Sequence, residues 1–91
     1  MTVYITAVHM EPSNASDHDH IAQVRWENRA DGTSNTSSRE TMVDWINDGG
    51  DARVSDGRGE VRVMVVDADP PYIRTYADGR QTDNLLSLPR Y

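Results

Sequence analysis

Four stretches of the chain alternate with a period of two: TVYITAVHM (2–10), HIAQVRWEN (20–28), EVRVMVVDA (60–68) and YIRTYA (72–77). A period of two is that of a β-strand, whose successive side chains point to opposite faces of a sheet. In the first stretch Val3, Ile5, Ala7 and His9 share one face, and Tyr4, Thr6, Val8 and Met10 the other. In the second, His20, Ala22, Val24 and Trp26 oppose Ile21, Gln23, Arg25 and Glu27. Both read as half-buried strands, predicted to pair antiparallel. Asp-Gly occurs at 31–32, 48–49, 56–57 and 78–79, where a strand or helix has to end and glycine supplies a positive φ. Turns explain these pairs better than calcium loops do, since the EF-hand spacing is absent. The polar run from Asp31 to Ser38 reads as a connection.

One segment breaks the period of two. In SSRETMVDWINDGG (37–50), Met42, Val43, Ile46 and Trp45 fall on one side of a helix. Ser37 with Glu40 three residues on fits a capping box, and Gly49 or Gly50 ends the helix. A helix of about three turns is too short to stand alone, so it has to dock on the sheet. Trp26 and Trp45 are expected at that contact, as core residues rather than a platform for a ligand.

DARVS (51–55) adds a strand, and TDNLLSLPRY (82–91) is expected as a short strand or a turn packed on the core. The prediction is one α+β domain over residues 1–91, in the order β-β-α-β-β-β. Five or six strands form a small antiparallel, curled sheet with one helix on it, or an SH3-like partial barrel. Short connections argue against parallel crossovers. Val, Ile and Leu total sixteen and Phe is absent, so the core is thin and stability modest.

Several functions are excluded or disfavoured. Without cysteine there are no disulfides and no thiolate chemistry. No run nears ~18 apolar residues, and the N-terminus lacks a charged region followed by an apolar one, so a cytoplasmic protein is expected. The net charge is −6 and every cation is arginine, which fits codon usage in a GC-rich genome or a high-salt cytoplasm. That balance opposes nonspecific binding to nucleic acid or anionic lipid. No serine lies in a nucleophile elbow and no glycine loop suits a phosphate. Asp44 and Asp48, at i and i+4, read as a solvated helix surface. Neither catalysis nor a cofactor is expected.

YIRTYADGRQTDNLLSLPRY (72–91), with HIAQVRW (20–26) and TMVDWINDGG (41–50), resembles the domain-of-unknown-function family numbered 3892. The Thr-Tyr-Ala-Asp-Gly to Asp-Asn-Leu-Leu run is its most distinctive part, and the segment between Asn28 and Ser38 matches nothing nameable. The resemblance implies a small prokaryotic protein, usually of one domain. It implies no activity and no catalytic residues.

Two constellations carry chemistry. If the first two strands form a hairpin, His9, His18 and His20 converge at one rim, with Glu11, Asp17 or Asp19 as an oxygen ligand. Such a set suits Zn²⁺ or Ni²⁺. The plainer alternative is solvated or core-capping imidazoles. Secondly, Arg25, Arg53, Arg62 and Arg74 each occupy the more polar face of a different strand, and Tyr72 and Tyr76 share the face of Arg74. Were those faces to coincide, an arginine-bearing sheet surface would suit a protein partner, or nucleic acid and phosphate groups. Against the nucleic-acid alternative, Glu27 and Glu60 alternate in register with Arg25 and Arg62. The expectation is an interaction module with a protein partner, the metal-binding and nucleic-acid-binding readings being alternatives. An exposed edge strand also leaves monomer and homodimer both open.

Overall fold

A computed structural model describes residues 2–12, 14–15, 17–55, 59–77 and 80–91. These form seven strands: β1 (Thr2–Met10), β2 (Ile21–Asn28), β3 (Thr33–Ser38), β4 (Asp51–Ser55), β5 (Glu60–Val66), β6 (Tyr72–Ala77) and β7 (Arg80–Thr82). Helix α1 (Arg39–Asn47) lies between β3 and β4, and short 3-10 turns span His18–His20 and Leu85–Ser87. The strands make one sheet in the order β3-β2-β1-β4-β5-β6-β7. The fold is thus sheet-rich α+β, as the alternation predicts. Among the described residues, no helix is long and apolar enough to cross a membrane.

Three expectations about the sheet are corrected. Seven strands replace five or six, because TSNTSS forms edge strand β3 and RQT forms edge strand β7. β3 is exposed or half-buried along its whole length, and a strand wetted on both faces has no hydrophobic row to announce it. The sheet is mixed, since β1 and β4 run parallel from Thr2↔Asp51 to Tyr4↔Arg53. The crossover that short connections argued against is made by β2, β3 and α1 together, which is long enough to return the chain in the same direction. Finally, the sheet stays open rather than closing into a barrel, with β3 at one edge and β7 at the other.

The buried face carries Val3, Ile5, Val8 and Met10 of β1, Ile21 and Val24 of β2, Ala52 and Val54 of β4, Val63 of β5 and Ile73 of β6. Helix α1 covers it with Met42 and Val43, while Trp45 and Ile46 are half-buried. The predicted stripe is therefore the docking face. Its cap lies one residue later than the capping box implies: Ser38, not Ser37, accepts from the Thr41 N–H at 3.2 Å. Gly49 ends the helix with φ of 102°, and the Asp-Gly at 31–32 turns with Gly32 at φ of 76°. The Asp-Gly pairs at 56–57 and 78–79 lie outside the described residues.

Alternation fails at two bulges. The β1–β2 register shifts between Ile5 and Ala7 and again between His9 and Met10. The first shift moves Val8 and Met10 to the buried face and turns Ala7 and His9 to the other, against the simple count. The second pairs Met10 with Ile21 and His9 with Gln23, so Ile21 and Val24 both point inward. One extra residue in a strand reverses every side chain after it.

Candidate functional site

The bare face of the sheet is built by strict alternation in β4, β5 and β6. Arg53 stands between buried Ala52 and Val54, Arg62 and Met64 flank buried Val63, and Tyr72, Arg74 and Tyr76 alternate with buried Ile73 and Thr75. Cross-strand pairing aligns these side chains. Glu27 is opposite Tyr4, Tyr4 opposite Arg53, Arg53 opposite Arg62, Arg62 opposite Tyr76 and Tyr76 opposite Gln81. One row therefore crosses the sheet from β2 to β7. Next to it, Met64 pairs with Arg74 and Val66 with Tyr72.

The structure thus brings Arg53, Arg62, Arg74, Tyr72 and Tyr76 onto neighbouring strands. Arg25 sits apart, on β2 opposite Ala7. Sequence reasoning missed Tyr4 and Met64. Tyr4 enters the row only through the parallel β1–β4 pairing, which no local pattern signals. Met64 was legible as an outward residue of β5, and it is 44% exposed.

The guanidinium groups differ in what they hold. Arg53 donates through Nε to both Asp51 oxygens at 3.1 and 3.2 Å and through an Nη to Glu60 at 3.1 Å. This contact holds the Asp51 carboxyl below its usual range, with help from the Thr2 hydroxyl. The Tyr4 hydroxyl donates to Glu60 at 2.7 Å, and that bond raises its pKa. Arg29 lies over the Tyr4 ring, 3.8 Å from its centre, and donates to Glu27. Arg74 donates to Asp83 at 2.9 Å and to the Thr82 carbonyl. Arg62, in contrast, has no carboxylate within ion-pair distance among the described residues and is exposed. It stands in register between Arg53 and Tyr76.

The three histidines do not gather. His9 meets the Tyr91 carbonyl through Nδ1 and Glu11 at 3.3 Å through Nε2, and its ring tilts against Tyr91. The Tyr91 carbonyl, then Glu11, raise its pKa. His20 shares its Nδ1 with the Glu11 carbonyl at 3.1 Å. His18 is 7% exposed, and its Nε2, 3.9 Å from Asp83, has no hydrogen-bond partner among the described residues. The expected His9/His18/His20 set is corrected on two physical grounds. A bulge turns His9 to the sheet's other face, and His18 and His20 belong to a 3-10 turn rather than to a strand. Among the described residues, the group whose ligand atoms lie within 4.8 Å of one another is Asp17, Asp19 and His20, all exposed. Exposed acidic groups of that kind are common without an ion.

His18 has a measurable consequence. Burial, then the charge of Arg74, lowers its pKa below the ordinary 6.5, outweighing the opposite pull of Asp83, Asp17 and Asp19. The folded domain holds the ring neutral while the unfolded chain takes up a proton near pH 6.5, so the unfolded state binds more protons below that pH. This contribution to stability is complete above about pH 6.5 and declines as the pH falls through and below it. His9, with its raised pKa, contributes in the opposite sense: its share is full in acid and is lost as pH rises through its folded value. In H18F the loss of melting temperature from pH 7 to about pH 5.5 is expected to be smaller than in the unaltered protein. Identical slopes would mean that His18 is not held neutral.

Residues 4–89 match the family described as Protein of unknown function (DUF3892). No curated protein and no solved structure matches the chain.

Proposed function

The chain belongs to the DUF3892 family of proteins of unknown function, and we propose that it is a small cytoplasmic interaction module that binds an acidic surface of a protein partner. Its working surface is the outward side of β4–β6, and it binds without catalysis or cofactor. One observation carries this reading: Arg62, exposed and without an ion-pair partner among the described residues, stands in register between Arg53 and Tyr76 and beside exposed Met64. Arg, Tyr and Met are the residue types enriched where proteins meet, and a central arginine with aromatic neighbours is a common hot spot. Arg53 is already neutralised by Asp51 and Glu60, so it supports Arg62 by position rather than by free charge.

A protein partner is favoured over nucleic acid because the whole domain is acidic, at −6. Nucleic-acid affinity rests mainly on phosphate neutralisation by many cations, and here a single unpaired guanidinium lies in the patch.

The test uses unaltered protein and R62E side by side as bait in extract from the native host. A protein retained by the first and lost from the second, while both melt within about 0.5 kcal/mol of each other, is the expected result. The complex should weaken by roughly tenfold or more on charge reversal, and more at low salt than at high salt. Equal retention by both baits contradicts the reading. A mobility shift of single-stranded RNA or DNA at low salt, abolished by R62E, would transfer the surface to nucleic acid.

A further inference from the structure

On the helix side of the sheet, where α1 crosses β1–β3, the structure leaves a hollow of about 210 Å³ lined by Val3, Trp26, Ser37, Thr41, Met42 and Trp45. Its two indoles are the chain's only tryptophans. Trp26 donates through Nε1 to the Ser37 hydroxyl at 2.9 Å. The Trp45 ring lies so close to the backbone at Gly50 that a Cβ there would fall 2.3 Å from Cδ2 of the indole. Trp26 cannot swing inward without giving up its hydrogen bond, and the Trp45 ring packs against the backbone at Gly50.

The hollow opens to solvent beside exposed Thr41, so its largely apolar walls stay in contact with water. Covering them with an apolar group would be favourable. The space exceeds the roughly 150 Å³ that holds a benzene molecule in an engineered apolar cavity. Its polar atoms, the Ser37 and Thr41 hydroxyls, already bond to Trp26 and Ser38. No carboxylate or guanidinium lines it, so a charged occupant would lose its hydration without compensation.

We propose that this hollow is a binding site for a small molecule bearing one neutral aromatic ring, separate from the arginine surface on the opposite face. Aromatic rings favour offset-stacked or edge-to-face contact with one another, and the Trp26 indole, held by Ser37, presents such a contact without reordering. The Met42 thioether adds a polarisable wall.

Toluene is the probe, and the chain's two indole N–H resonances are the readout, because both belong to the walls. Titration with toluene is expected to shift both signals saturably. T41L, which adds apolar bulk at an exposed helix position and leaves the backbone cap on Ser38 in place, should raise the dissociation constant by about tenfold or more. R62E should bind toluene as the unaltered protein does. The proposal is overturned if toluene gives no saturable shift up to its solubility limit, or if T41L responds as strongly as the unaltered chain. It is overturned equally if tetramethylammonium moves the indoles and toluene does not, since the site would then be a cation cage.

Discussion

A chain ended after Asn84 is expected to lose cooperative folding altogether. Leu85 is fully buried, and Leu86 and Leu88 pack against the same core. The tail also completes β1. Strand β4 pairs with β1 only from Thr2 to Tyr4, so the far half of that edge is taken by the last residues. There the Val8 N–H donates to the Pro89 carbonyl at 3.0 Å, and the Tyr91 N–H donates to the Val8 carbonyl at 3.1 Å. Arg90 further donates to the Ala15 carbonyl at 2.9 Å. Removing one buried leucine costs about 2–5 kcal/mol. Each lost hydrogen bond adds about 0.5–1.5 kcal/mol. A domain of this length holds roughly 5–14 kcal/mol in total, so the truncation removes most of it. The point variant L85A, which keeps the tail, should still fold but melt roughly 10 °C lower or more. Circular dichroism melts of both would decide. A truncated chain melting sharply within about 3 °C of the full chain would refute the tail's structural role.

The second large effect belongs to Gly50. Its N–H donates to the Trp45 carbonyl at 2.9 Å, and its bare Cα lets the indole lie against the backbone. In G50A the new methyl meets three ring carbons at 2.3 to 2.5 Å, and the whole indole has to move. Overpacking of this kind costs about 1–3 kcal/mol. It exceeds the roughly 0.4–1 kcal/mol that alanine gains by restricting the unfolded chain. The expected outcome is a lower melting temperature with a changed Trp45 fluorescence. G49A is the control. Gly49 has open space around it, but its φ of 102° disfavours any L side chain. That substitution should cost about 1–2 kcal/mol while leaving tryptophan emission unchanged. If both variants changed emission alike, strain at the helix end rather than the indole contact would be the cause.

What the sequence disclosed follows from where local patterns are strong. Arg53, Arg62, Arg74, Tyr72 and Tyr76 could each be placed on the outward row of its strand because β4, β5 and β6 alternate without interruption against buried Val54, Val63 and Ile73. The α1 stripe was equally plain in Met42, Val43 and Ile46. β1 misled beyond Ile5 because a bulge changes facing by one residue, and Thr6 gives no sign of it. β3 stayed hidden because Thr33 to Ser38 present no apolar row. The parallel pairing of β1 with β4 depends on contacts 49 residues apart, as between Thr2 and Asp51, and no local spacing encodes it. His18 looked like a strand residue, but the 3-10 turn carries it into the protein, where its solvation rather than its spacing sets its chemistry. The tryptophans were rightly placed between helix and sheet, yet nothing in the sequence indicates that they stop short of filling the space between them.

The arginine–tyrosine surface is tested most directly by backbone amide mapping during titration with a short glutamate-rich peptide at low salt. The account predicts progressive shifts confined to β4–β6, centred on Arg62 and including Met64, Arg74 and Tyr76, that disappear in R62E. Shifts centred instead on residues 17–20, or none at any peptide concentration, would contradict it.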